Sequence, residues 1–199
     1  MTKWLGLFFL TISTYLVKSQ NLVESPAKEV VEISSSEVLI DTSGKYTFED
    51  ISTGKYKFMP LSTTSSTNPI HNTIYWVRFR ISSKSKQKMA IIQTARSNQV
   101  LMYIPLDSIH YEVQKSGFNY TFSERNVYHN EHIFIIPVLT GERDHYYIKI
   151  ISGNNFGIYI APYSIPTYTS KTFKEALYYG FFFGIIFLAV LYRDRKSVV

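Results

Sequence analysis

The chain has 199 residues, 45% of them apolar and 16% aromatic but only 18% charged, with no Cys. That composition suits one ordinary domain with a true core and excludes disordered, collagenous and coiled-coil chains; the missing Cys removes disulfide scaffolds, Cys-ligated zinc and thiol catalysis. The formal charge of +6 sits mostly at the ends, because residues 20–175 hold 16 basic and 14 acidic residues, an ordinary surface that makes nucleic acid an unsuitable partner.

Residues 1–19 read as a secretory signal peptide: Lys3 supplies the charge, Trp4 to Val17 is mostly apolar, and Val17-Lys18-Ser19 precedes a cleavage point before Gln20. From there the pattern has period two, and it predicts an exported β-sandwich over 20–168. Glu29–Ile33 and Glu37–Ile40 are expected as strands around a Ser-rich turn, and the polar stretch Lys57–Asn72 as a long surface loop. Ile74 to Ile81 (IYWVRFRI) is the clearest strand, with Tyr75, Val77, Phe79 and Ile81 on one face and Ile74, Trp76, Arg78 and Arg80 on the other. Met89–Thr94 and Gln99–Ile104 are expected as strands flanking a turn at Ala95–Asn98, with His110–Gln114 as a shorter one. His132–Leu139 (HIFIIPVL) is apolar on both faces, and Pro137 assigns it to an edge or a bulge. Asp144–Ile151 and Phe156–Ala161 come next, joined by the turn residues Ser152-Gly153-Asn154-Asn155. No helical period precedes residue 170 apart from the signal, so the expected fold is all-β, a jelly-roll-like sandwich.

Ser164–Ser170, containing Pro166, reads as a short link, and residues 169–192 as linker plus first transmembrane helix. The apolar block is Ala176–Tyr192 (ALYYGFFFGIIFLAVLY), 17 residues without a charge. At about 1.5 Å per residue it approaches the length of a span. Tyr178 and Tyr179 would sit in an interfacial aromatic belt, and Gly180 and Gly184 have GxxxG spacing. A cleaved signal and then a stop-transfer block place the sandwich outside the cytoplasmic membrane and the C-terminus inside, in line with the basic residues after Tyr192. The tail Asp194-Arg195-Lys196-Ser197-Val198-Val199 is also the translation of a common sequencing-library adapter. Residues 193–199 are therefore expected to be an adapter tail, and the chain a fragment that stops after its first membrane helix.

No GxGxxG, GxxxxGK[ST], GxSxG or HExxH occurs, so the chain is expected not to be an enzyme and to need no cofactor. His129-Asn130-Glu131-His132 divides over two strand faces and reads as a solvated start of a strand rather than a metal site. The candidate ligand-binding residues are Trp76, Arg78 and Arg80, which share one face of the best strand. A flat indole can stack on a sugar ring, and Arg forks can hold hydroxyls or a carboxylate. The expected partner is thus a small extracellular ligand such as a glycan.

The order of Tyr75-Trp76-Val77-Arg78-Phe79, Leu101-Met102-Tyr103, Tyr146-Tyr147-Ile148 and Tyr178-Tyr179-Gly180 resembles a known family over about residues 28–192. It is the second type of extracellular domain of bacterial seven-transmembrane receptors with diverse intracellular signalling modules. The resemblance implies a carbohydrate-binding jelly roll outside the membrane, further helices, and an intracellular output module that this chain lacks. The other reading of the residues is a stand-alone membrane-tethered binding or adhesion module.

Overall fold

The computed structural model describes residues 30–61, 73–83, 88–107, 109–139, 145–151 and 158–196. Two antiparallel sheets face one another. The larger has six strands in the order β2-β1-β3-β8-β5-β6 and the smaller has three in the order β7-β4-β9. In chain order the strands are β1 (Val31–Asp41), β2 (Met59–Pro60), β3 (Ile74–Ser83), β4 (Met89–Thr94), β5 (Gln99–Pro105), β6 (Tyr111–Ser116), β7 (His132–Pro137), β8 (Tyr146–Ile151) and β9 (Ile160–Tyr163). A short helix α1 (Phe48–Ser52) lies between β1 and β2, and a long helix α2 (Ile165–Lys196) comes after β9.

The period-two alternation decides what lies between the sheets. Tyr75, Val77, Phe79 and Ile81 of β3 are all buried there, as their alternation predicts, with Val100, Met102 and Ile104 of β5 and Tyr146, Ile148 and Ile150 of β8. The small sheet contributes Ala90 and Ile92 of β4 and Phe134 and Ile136 of β7. Each fully buried Val, Ile, Met or Phe here adds roughly 1.5–3 kcal/mol, so this layer is the main driving force for the fold. The Tyr146 hydroxyl crosses it, donating to the Pro137 carbonyl at 2.5 Å.

Several boundaries differ from expectation. The two strands predicted around a Ser-rich turn are one strand, β1, whose register against β3 shifts between Ile33 and Ser35. The extra residue is absorbed as a bulge, which costs less than breaking an eleven-residue ladder. Ala95–Asn98 is not a hairpin turn: β4 lies in the small sheet and β5 in the large one, so this segment carries the chain across the sandwich. The loop after β6 passes close to it, and a Cβ on Gly117 (φ +125°) would lie 2.5 Å from the Asn98 carbonyl oxygen. Pro137 does lie on an edge strand, β7. The signal peptide, most of the expected 57–72 loop, the Ser152–Asn155 turn and residues 197–199 lie outside the described residues.

The link expected at 164–170 is helical. The Ser164 hydroxyl accepts from the Thr167 amide (3.2 Å), and the Tyr168 amide donates to the Ser164 carbonyl (2.9 Å). Pro166 stands in the first turn, where its missing N–H costs nothing and its fixed φ suits the helix. A single residue therefore separates β9 from the helix, and a boundary drawn at 168/169 falls inside it. By length and composition, Ile165–Arg193 is the one stretch among the described residues able to cross a membrane.

Candidate functional site

The outer face of the large sheet is aromatic and covered. Alternation sends Trp76, Arg78 and Arg80 away from the core, but the chain between β1 and β2 folds back over this face. Three devices shape that lid. Asp41, buried at the end of β1, accepts from the Ser43, Gly44 and Tyr46 amides and from the Ser43 hydroxyl, at 2.7–3.0 Å. Burial alone would raise its pKa, but these four bonds outweigh it and hold the carboxyl below the usual range. Thr47 caps α1, its side chain accepting from the Asp50 amide (3.3 Å). Gly54, at φ +77°, ends α1 in the left-handed conformation that such a stop requires.

Under this lid Ile51, Phe58, Trp76 and Tyr147 form a second buried cluster, ringed by Tyr46, Phe48, Tyr56, Tyr103 and Tyr111. Phe48 stacks on Tyr103 with centroids 4.0 Å apart and meets Tyr111 and Tyr147 edge-on, while Tyr46 stacks on Tyr56 at 3.9 Å. Burial pushes the Tyr103 and Tyr147 phenols up in pKa, so both stay neutral donors. These rings were not expected as a site. The signal was present in Tyr46-x-Phe48 and Tyr56-x-Phe58, aromatics alternating on either side of a Thr-x-x-Asp cap.

The three expected ligand residues therefore have different fates. Trp76 is 1% exposed, floored by the sheet and roofed by the lid, with the Lys149 ammonium 5.1 Å from its ring. As an exposed stacking platform it is displaced by the lid, whose apolar side chains need that same surface. Its indole Nε1–H is buried without a hydrogen-bond partner among the described residues. Arg78, beside Phe58 of the lid, and Arg80, two residues further along the same strand face, are half-buried. Arg78 donates to Glu37 Oε2 from Nε (2.9 Å) and Nη2 (2.5 Å), its guanidinium 4.6 Å from the Phe58 ring centroid. Arg80 Nε donates to His145 Nε2 (3.0 Å). Each Arg is thus oriented by a planar partner, and polar forks share a strand face with an aromatic bed.

The His129–His132 stretch also differs from expectation. His132 is not solvated: it is fully buried where the two sheets meet, with Nε2 3.2 Å from the Ser97 carbonyl and Nδ1 3.3 Å from the Ser116 hydroxyl. Burial, helped by the nearby charge of Arg125, lowers its pKa. The neutral ring, protonated on Nε2, satisfies both partners. Glu131 points the other way, to the outer face of the small sheet.

That outer face carries α2. Tyr168 is buried against Ile91 of β4 and Ile133 of β7, with Val127 and Tyr163 around it. Its hydroxyl donates to Glu131 Oε2 (3.0 Å). One turn on, Lys171 Nζ donates to Gln93 Oε1 (2.8 Å) and stands 4.0 Å from the same Glu131 oxygen. The first two turns of the membrane-type helix are thereby fixed to the sandwich by packing and by charge-assisted bonds.

No curated protein matches the chain. The family model described as 7TMR-DISM extracellular 2 matches residues 34–161, which span every strand but the start of β1 and the end of β9. With the two facing sheets and the apolar C-terminal helix as its context, that match covers well over half of the sequence, and the chain belongs to the 7TMR-DISM extracellular 2 family, the extracellular domain of 7TMR-DISM receptors.

Proposed function

We propose that this chain is the outer, ligand-sensing part of a membrane receptor, a jelly-roll-like sandwich that binds carbohydrate, lies outside the membrane, and continues through α2 towards the cytoplasm. On this reading it acts by binding rather than by catalysis. The observation that supports the ligand reading most is the outer face of the large sheet. There Arg78, over the Phe58 ring, and Arg80, oriented by His145, share a strand face with the lidded rings, whose Trp76 Nε1 is a buried donor with no partner among the described residues. Sugars present flat CH faces and fixed hydroxyls, and such mixed aromatic and fork-like groups match both. The docked start of α2 gives a bound state something to move. For signalling, the ligand must favour one of two arrangements of sandwich and helix, since equal affinity for both shifts nothing.

The test is glycan-array binding by the full chain in lipid nanodiscs, beside the Arg78→Ala and Arg80→Ala variants. Loss of binding with retained folding supports the site. Unchanged binding in both variants removes this face, and a parent protein that retains no glycan removes carbohydrate as the ligand class.

A further inference from the structure

The contacts of α2 give it a direction. Ser164 comes directly after Tyr163, which is paired with Ile91 of β4; Lys171, seven residues on, reaches Gln93, two residues further along β4. Helical side chains lean towards the N-terminus, so the backbone at Lys171 lies still further along. The helix thus doubles back over the small sheet, antiparallel to β9, and leaves past the β4 C-terminus and the β7 N-terminus. The apolar block starts at Ala176, five residues or about 7.5 Å beyond Lys171. The end of the sandwich that this rise brings to the membrane holds the Ala95–Asn98 crossing and the long loop 117–131 between β6 and β7.

That loop is built to present aromatics. Phe118 is 51% exposed, Phe122 52% and Tyr128 73%, all on one fifteen-residue segment. The loop is nevertheless fixed. Arg125 is buried and donates to the Tyr120 carbonyl (3.3 and 3.2 Å) and to the His129 carbonyl (3.2 Å). Asn126 Oδ1 accepts from the Lys115 amide (2.8 Å), Glu124 closes a capping box with Thr121, and Gln99 bonds the Tyr120 hydroxyl. The Arg125 guanidinium sits 4.5 Å from the Phe122 ring, and Arg96 and Lys115 are exposed at the same end. Rigid aromatic tips with cations beside them suit the headgroup layer of a bilayer, where apolar rings meet the acyl boundary and cations meet phosphates.

We propose that the 117–131 loop rests in the outer headgroup layer through Phe118, Phe122 and Tyr128, so that the sandwich stands on the membrane rather than swinging above it. The proposal rests on the reading of α2 as a span. Together with the Tyr168–Glu131–Lys171 dock, it gives the domain two points of attachment, and a ligand-driven tilt would lift one of them.

The absence of Cys makes every introduced thiol a unique label site. Nitroxides are placed at Phe122→Cys and Tyr128→Cys, at Ile109→Cys on the opposite end of the sandwich, and at Phe187→Cys within the apolar block. The full chain is held in nanodiscs of phosphatidylcholine with phosphatidylglycerol. Collision rates with oxygen, which enriches in lipid, and with a water-soluble nickel chelate are then compared. The expected result is several-fold lower nickel access at 122 and 128 than at 109, with raised oxygen access. Nickel access at 122 and 128 equal to that at 109, with Phe187 in lipid, overturns the headgroup contact and leaves the span intact. Shielding of both labels from both reagents also overturns it, since protein then covers the loop. A label at 187 that is open to nickel removes the span, and this proposal with it.

Discussion

The two sheets of this sandwich each carry an apolar outer face, and the chain covers them in opposite ways. On the large sheet an excursion of the chain, Ser43 to Phe58, folds back over the face, held by one carboxylate and by ring contacts, and it leaves an indole donor without a partner among the described residues. On the small sheet the cover is the start of a helix that continues into an apolar block, and the polar groups at that contact are paired: Tyr168 to Glu131 and Lys171 to Gln93. A cover that leaves a buried donor unsatisfied is expected to open more readily than one whose polar groups are paired. On the proposed reading, the large-sheet face would admit the ligand and the small-sheet face would pass on its effect. Both faces back onto the same core.

Breaking the core should abolish the distinction. Phe79 is fully buried between the sheets and stacks on Tyr146 with centroids 5.4 Å apart. Phe79→Ala is expected to cost about 3–5 kcal/mol, a large share of a domain's stability. Denaturant unfolding of the full chain in detergent should show lid and dock failing together. A variant as stable as the parent would mean that β3 presents its other face to the core.

Next in size is the lid alone. Asp41→Ala removes four hydrogen bonds to a carboxylate, and about 2–3 kcal/mol of lid stability is expected to go with them. Trypsin should then cut faster at Lys45, Lys55 and Lys57, with no change at Lys171. Acid should act in the same direction on the parent. The folded-state pKa of Asp41 is lowered, so its contribution is complete above the unfolded carboxylate value near 3.9 and is lost as pH falls through the folded one. Equal acceleration at the lid lysines and at Lys171 would deny that the two covers open separately.

The dock is tested by Tyr168→Phe, which keeps the packing and deletes the bond to Glu131. About 1.5 kcal/mol is expected, the low end for a bond to a charged acceptor on a partly exposed group. Cleavage at Lys171 and Lys174 should rise while the lid lysines stay protected. If the lid opens instead, coupling through the core is stronger than the separate contacts suggest.

The same contrast sets what could be read from residues alone. The core strands were legible because Tyr75, Val77, Phe79 and Ile81 alternate without exception, and no other structure buries such a pattern. The apolar block was legible from its length. The covers were not. α1 is five residues long, too short to show a period, and only its Thr47 cap marked it. Pro166 reads as a breaker until its position in a first turn is known. His132 looked solvated because its neighbours are polar, whereas its partners, Ser97 and Ser116, come from elements 35 and 16 residues away. Alternation gives Trp76 its face, but it says only which side of a sheet a residue takes. Whether that side is wet depends on a segment well upstream, between β1 and β2.

The smallest effect on stability, and the sharpest on function, is expected at Trp76 itself. Trp76→Phe removes the unpaired Nε1–H, whose desolvation costs about 1–3 kcal/mol in the parent. It also removes ring volume from a buried cluster, a loss of similar size and opposite sign. The two nearly cancel, and the change in unfolding free energy should stay within about 1 kcal/mol. The same change at a satisfied donor would have only the cost, as Tyr168→Phe does. If the unpaired N–H is kept for a ligand that reaches it when the lid lifts, the variant should fold as the parent does and bind the array-selected glycan more weakly. Parent-like binding would assign the indole to packing alone and leave Arg78 and Arg80 as the ligand's contacts. A loss of several kcal/mol would instead mean that Nε1–H has a partner in solution, and the contrast between a loose cover and a satisfied one would fail at its most specific point.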